Sequence, residues 1–252
     1  MTKIKNGLHN NTTLKQVDLR KDLMKLFDGR PFKDDLLMTN FGLFFRASAL
    51  SKVFFLHEAY SKVINIPGDF FVYGVWLGQD LVVLESLRAI LEPYNSSRKM
   101  VGFDTFSGYE NITSLDKESD VITNDGYKVP VNYEEYLSNL LNYHKAENCM
   151  GHNVEHQLIK GDVTKSSKNY IKDNPSCIIA MAYFDMALYK PTIAALKSIE
   201  NRLIKGSVIV FDELNDKRYP GETIAFREWI KDFDYEISRS AFLPDRSFVT
   251  IK

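Results

Sequence analysis

Apolar positions fall into two alternating patterns along this chain. Helical spacing runs through LRKDLMKLFD (19–28) and FFRASALSKVFFLHEAYSKVIN (44–65). The second is apolar over much of its circumference, as in a helix packed between other elements. After the breaker Pro67-Gly68-Asp69, FFVYGVW (70–76) reads as a strand, and LVVLESLRAILEP (81–93) as a helix ended by Pro93. The alternation continues with strand-like KMVGFDTF (99–106), helical VNYEEYLSNLLNYHKAE (131–147), and strand-like HQLIKGDV (156–163) and SCIIAMAYFD (176–185). Helical KPTIAALKSIENRLI (190–204), strand-like GSVIVFDELN (206–215) and helical ETIAFREWIKDF (222–233) follow. The final run, YEISRSAFLPDRSFVTIK (235–252), holds two strand-like pieces that can pair antiparallel across LPDR.

Strands alternating with helices predict an α/β fold whose mainly parallel sheet is covered on both faces, which is why the middle strands are apolar without alternation. Residues 1–66 form a helical extension in this reading, and 67–252 one globular unit. Ligands of such sheets bind beyond the carboxyl ends of the strands. Five successive strand ends carry glycine or acid: Gly74 and Gly78, Asp104, Asp162, Asp185, and Asp212-Glu213.

Composition narrows the classes of function. A net charge of -1 lacks the basic excess that favours nucleic acid. No apolar run approaches the length of a membrane span. The polar N-terminus has no secretory-signal pattern, and its basic residues 1–22 read as a solvated terminus. Two cysteines, Cys149 and Cys177, make no disulfide framework, so a reducing cytoplasm is expected.

Within VYGVWLG, a glycine turn between strand and helix lets backbone approach a ligand and presents helix N-terminal N–H groups. The Gly74–Gly78 spacing matches neither a dinucleotide fingerprint nor a P-loop, and structural necessity explains the glycines equally well. Asp104 stands where nucleoside sites place an acid on the ribose, although DTFSG also suits a turn cap. Asp162 would flank the adenine, or serve a Gly-Asp turn. Asp185, Asp212 and Glu213 end neighbouring strands about 4.8 Å apart. Three hard oxygen donors converging there suit Mg²⁺ or Ca²⁺, and no His/Cys spacing argues for zinc. The alternative has them capping helices or pairing with Lys190 and Lys217. His57 reads as a packed or rim residue, and His144, His152 and His156 as surface histidines.

PGDFFVYGVWLG, VGFDTFSGYE, KGDV, YFDMALYKPT, GSVIVFDELN and GETIAFREW, in that order from Pro67 to Trp229, resemble the S-adenosylmethionine (SAM)-dependent macrocin-type O-methyltransferases that methylate sugar hydroxyls. The resemblance implies a class I methyltransferase (Rossmann-like) fold with a seven-stranded sheet. It puts SAM against Tyr73, Gly74, Val75, Trp76, Gly78, Asp104, Thr105 and Asp162, and a divalent metal, Mg²⁺ first, on Asp185, Asp212 and Glu213. It further implies a sugar-containing small-molecule acceptor shaped by the polar segment 107–131, natural-product biosynthesis, and a homodimer. The chain departs from the family pattern at Tyr73 for an acid, Leu77-Gly78-Gln79 for Arg-Gly-Gly, Tyr183 for His, Ala187 for the second Asp of Asp-x-Asp, and Glu213 for Asp. Tyr189 belongs to the pattern and reads as structural.

The mechanism expected is in-line methyl transfer to a metal-oriented hydroxyl, with Asp185 able to take the proton. Two rivals are a catalytically silent SAM-binding module and an NAD-dependent enzyme, the latter disfavoured by the glycine spacing.

Overall fold

The computed structural model describes residues 13–116, 122 and 127–252. Residues 1–12 of the basic terminus, and 117–121 and 123–126 of the polar segment, lie outside the described residues. The chain begins with helices α1 (Leu14–Asp28), α2 (Asp34–Thr39) and α3 (Ala47–Val63). Strand β1 (Asp69–Tyr73) and α4 (Gln79–Leu91) follow, then β2 (Met100–Asp104), α5 (Tyr133–Glu147), β3 (Gln157–Lys160) and α6 (Val163–Asp173). The chain continues through β4 (Ile179–Phe184), α7 (Tyr189–Ile199), β5 (Leu203–Phe211), α8 (Pro220–Trp229), β6 (Tyr235–Arg239) and β7 (Ser247–Ile251).

The seven strands lie in the order β3-β2-β1-β4-β5-β7-β6. β1 to β5 are parallel, and β7 runs antiparallel to both its neighbours. The mainly parallel sheet and the antiparallel pairing of the last two runs are as expected.

Side-chain alternation divides the core into two layers. On one face Phe71, Tyr73, Phe103, Phe184 and Phe211 pack with Val163, Tyr170, Leu196 and Phe226 from α6, α7 and α8. On the other Phe70, Val72, Met181, Tyr183, Val210 and Phe248 pack with Phe55, Leu56, Tyr60, Leu84, Leu137 and Leu141 from α3, α4 and α5. The N-terminal segment therefore reaches the sheet itself: α3 lies over β4, β5 and β7, with the Phe55 ring 5.7 Å from that of Tyr183 on β4 and 5.9 Å from that of Phe248 on β7.

α6 has no counterpart in the sequence reading. VTKSSKNYIKD is mostly polar and buries only Val163, Ser167 and Tyr170. Its start is fixed by Asp162, whose side chain accepts the Thr164 amide hydrogen at 2.9 Å, an N-cap that offsets a weak apolar stripe. His156 corrects the surface reading. Its imidazole is buried, Nδ1 accepts from the Met100 amide at 3.2 Å, and Nε2 lies 2.7 Å from Glu85 Oε2. Those two bonds define the Nε2–H tautomer and join the start of β2 to a buried Glu85–Arg88 pair on α4. His57 is exposed.

Candidate active site

The carboxyl ends of β1 to β5 open on a cleft of about 780 Å³. Gly74, Val75, Trp76, Gly78, Asp104, Thr105, Asp162, Asp185 and Asp212 all line it. Glu213 instead faces an adjoining cavity of about 740 Å³, and Tyr127, Asp212 and Arg246 border both.

Tyr73 is the correction in the expected cofactor set. Its side chain is 0% exposed and lies on the α6 face, stacked between Phe103 and Phe184 at 4.8 Å from each, with its hydroxyl 2.8 Å from Ser167 Oγ. Strand alternation turns this position away from the cleft and into the core.

Both glycines of the turn are demanded by the protein itself. Gly74 has φ 88°, and a Cβ there would stand 1.9 Å from the Asp185 carbonyl oxygen. Gly78 has φ 78° as the residue before α4, and a Cβ would meet Leu137 at 2.3 Å. Only glycine tolerates such backbone without strain. The turn is also braced from β2: Asp104 Oδ2 accepts the amide hydrogens of Val75 at 2.7 Å and Trp76 at 2.8 Å, while Oδ1 accepts that of Phe106 at 2.7 Å. Asp104 thus performs the turn-capping role and ties two strand ends together. A carboxylate has about four acceptor positions, and three are engaged here. The Gly78 amide donates to Val75 O, and the first residues of α4 present the open N–H groups of a helix N-terminus. Thr105 closes its own turn by donating to Gly108 O at 2.9 Å, and Asp162 caps α6.

The acids assemble by register. β4 and β5 pair Tyr183 with Val210 and Phe184 with Phe211, so the next residues, Asp185 and Asp212, stand side by side. One carboxyl oxygen each from Asp185, Asp212 and Glu213 lie within 4.8 Å of one another. Glu222 of α8 joins them, its Oε2 accepting the Glu213 amide hydrogen at 2.7 Å.

Burial, then the charge of Asp212, push Asp185 up to about 7, with Lys52 opposing. Burial and the neighbouring acids also raise Glu213 and Glu222 well above the usual carboxylate range. Glu213 Oε2 and Glu222 Oε1 are buried without a hydrogen-bond partner. Oxygens on opposite sides of one Mg²⁺ or Ca²⁺ stand about 4–5 Å apart. The spacing, the hard-donor chemistry and the orphaned oxygens all fit a divalent cation.

Two basic partners that the sequence did not reveal sit among these acids. Lys52 of α3 donates to the Tyr183 hydroxyl at 3.0 Å and lies 3.2 Å from Asp80 Oδ1 and 3.9 Å from Asp185 Oδ2. Arg246, from the β6–β7 loop, pairs through Nε with Asp212 Oδ1 and donates from Nη1 to the Asp212 carbonyl at 3.2 Å. The Tyr183 hydroxyl donates to Asp212 Oδ1 at 2.6 Å. Lys190 bonds Asn111 instead of a site acid, and Lys217 is exposed. The available signal for Lys52 was a lysine on a helix that is apolar over much of its circumference; for Arg246 it was the basic end of LPDR.

Further out, Asp116 fastens the loop after β2. Its Oδ2 accepts from the Thr113 amide at 2.8 Å and its Oδ1 from the Tyr189 amide at 2.7 Å, at the start of α7. The Tyr189 hydroxyl donates to Glu228 at 2.6 Å. Ala187 is buried with Tyr219, against Tyr109.

This strand order, with a glycine turn and strand-end acids around one cleft, defines a class I methyltransferase. A solved structure of the calicheamicin methyltransferase CalS11 matches with TM-score 0.89 and 32% sequence identity over 96% of this chain and 94% of that one. An apo structure of CalS11, described as a TDP-rhamnose 3'-O-methyltransferase of calicheamicin biosynthesis, matches with TM-score 0.83 and 31% identity over 96% of each chain. The O-methyltransferase NovP shares the fold, with TM-score 0.61 and 15% identity over 80% of this chain and 79% of that one. No protein-family model and no curated protein sequence matches the chain. The chain belongs to the sugar O-methyltransferase family that contains CalS11, and it is a SAM-dependent O-methyltransferase. Among the described residues, no helix is long and apolar enough to cross a membrane.

Proposed function

We propose that the chain methylates a hydroxyl of a sugar or glycosylated small molecule, with a divalent cation held by Asp185, Asp212 and Glu213. The observation carrying this reading is the convergence of those three carboxyls at the edge of a cleft floored by the β1–α4 turn. The similarity to CalS11, named for its action on TDP-rhamnose, supports a sugar-bearing acceptor.

In this reading the larger cleft takes SAM, whose sulfonium supplies the methyl group. Gly74, Val75, Trp76 and Gly78 form its floor, Asp104 keeps that floor rigid, and Thr105 and Asp162 line the adenosine side. Mg²⁺ at the acids would act as a Lewis acid toward paired acceptor oxygens. Asp185 has the freer carboxylate of the strand-end pair, since Asp212 is engaged by Tyr183 and Arg246. Its carboxylate is therefore the one placed to take the hydroxyl proton as the carbon–oxygen bond forms. The adjoining cavity extends acceptor space beyond Asp212, with Tyr127 at the boundary. Homodimer formation belongs to the same proposal, supported by α1, which buries none of its residues and exposes Leu14, Leu19, Met24 and Leu26.

Calorimetry with S-adenosylhomocysteine (SAH) and with NAD, each with and without Mg²⁺, joined to methyl-transfer assays on nucleotide sugars and glycosides, tests the proposal. SAH binding with Mg²⁺-stimulated methylation is the expected result. SAH binding with no methylation of any sugar hydroxyl would remove the acceptor class, and full turnover in excess chelator would remove the cation.

A further inference from the structure

Five carboxyls crowd the strand ends around one point: Asp80, Asp185, Asp212, Glu213 and Glu222. Asp80, Asp212 and Glu222 are buried outright. The proximity of Asp185, Asp212 and Glu213 alone would be self-repelling. Two fixed cations answer them, Arg246 on Asp212 and Lys52 between Asp80 and Asp185. The Lys52 side chain is only 18% exposed and its ammonium stands over the Tyr183 ring at 5.2 Å. It is delivered by α3, an element that otherwise serves the core.

Lys52 also sets the direction of a hydrogen-bond chain. Because its ammonium donates to the Tyr183 oxygen, the Tyr183 proton is turned toward Asp212 at 2.6 Å, well inside its 3.5 Å separation from Asp185. Asp212 is thereby occupied by Tyr183 and Arg246, whereas Asp185 faces Lys52 across 3.9 Å without a direct hydrogen bond between them.

We propose that Lys52 is a positioning residue, a built-in counter-cation that balances Asp80 and Asp185 and thereby sets how tightly the strand-end acids hold a divalent ion. The assignment rests on the cation site proposed above. It requires that removing the ammonium strengthen metal binding, because the negative charges of Asp80 and Asp185 then act on the ion unopposed by Lys52. A purely structural lysine would not produce that sign.

The test is titration calorimetry of the full chain with Mn²⁺ alone, for the wild type, Lys52→Met and Lys52→Arg, with thermal melts in chelator and in Mn²⁺. The expected result is a Mn²⁺ affinity about tenfold higher in Lys52→Met, restored toward wild type by Lys52→Arg, with a larger Mn²⁺-induced rise in melting temperature. Binding by Lys52→Met but not by the wild type supports Lys52 while overturning a resident metal in the native protein. Equal affinities in both overturn the Lys52 assignment and leave the metal site standing; no binding by either overturns both. Should Lys52→Met not fold, Asp80→Asn supplies the opposite arm. It leaves Asp185 as the one carboxylate within ion-pair distance of Lys52 among the described residues and is expected to weaken Mn²⁺ binding about threefold or more, and an unchanged or tighter affinity overturns the assignment.

Discussion

Asp104 at the end of β2 accepts the amide hydrogen of Trp76 in the turn after β1 at 2.8 Å, and that of Val75 beside it at 2.7 Å. The glycine turn is therefore held in shape by a charge from the next strand. Hydrogen bonds to a charged acceptor contribute about 1.5–3 kcal/mol each. Asp104→Ala is expected to cost about 3 kcal/mol or more in urea unfolding and to weaken SAH binding more than tenfold by calorimetry. Unchanged stability with intact SAH affinity would contradict the bracing role.

Tyr73→Phe separates core from cofactor. Losing the hydroxyl breaks the Tyr73–Ser167–Ser198 chain, whose links are 2.8 and 2.6 Å. The expected cost is about 1–2 kcal/mol of stability with SAH affinity unchanged. A selective loss of SAH binding would show that Tyr73 reaches the cofactor after all.

Gly74→Ala places a methyl 1.9 Å from the Asp185 carbonyl at a φ of 88°. Backbone must move at the point where two strand ends meet, so a loss above about 3 kcal/mol is expected, or failure to fold. Gly42, with nothing within 4 Å of its would-be Cβ, is the control position, and Gly42→Ala should melt within a few degrees of wild type.

Metal affinity should depend on pH through Asp185, which burial and Asp212 raise to about 7. Below that value the proton competes with the cation; above it the carboxylate is free. Mn²⁺ is accordingly expected to bind at least about tenfold more weakly near pH 6 than near pH 8, with Glu213, raised by burial and the same acids, adding to the step. Asp185→Asn should shrink that step, Glu213 being raised as well, and abolish metal-stimulated turnover while preserving SAH binding; full turnover in that variant would dismiss the metal mechanism.

Acid stability has a separate source on α4. Burial would raise the Glu85 carboxyl, but hydrogen bonds from Arg88, His156 and Asn148 outweigh it and hold the group from its ordinary 4.5 down to about 2. A depressed folded-state value stabilises fully above the unfolded value, and the contribution disappears as pH falls through the folded one. About 3 kcal/mol is thus expected to vanish between about pH 5 and pH 2. Glu85→Gln should be less stable at neutral pH and flatten that window in urea titrations, whereas an unchanged acid slope would assign it elsewhere.

Much of this protein was readable from residue order. Alternating strand and helix patterns dictated a parallel sheet, because a strand apolar on both sides must be covered on both sides, and the motifs carried the family. They also placed Gly74, Asp104, Asp185, Asp212 and Glu213 at strand ends, since a strand end is a local property. α6 escaped because its few buried residues are spread through polar sequence and its stability comes from the Asp162 cap and from packing. The inward turn of Tyr73, the burial of His156 and the occupation of Asp104 by the neighbouring turn depend on which face or strand lies opposite, which no local pattern contains. Lys52 and Arg246 belong to the same class. Separated in sequence from Asp185 by over a hundred residues and by about sixty, they meet the acids only once α3 covers β4 and the β6–β7 loop folds back over β5. Charge balance at a buried site is a sum over space, so tertiary structure alone decided it.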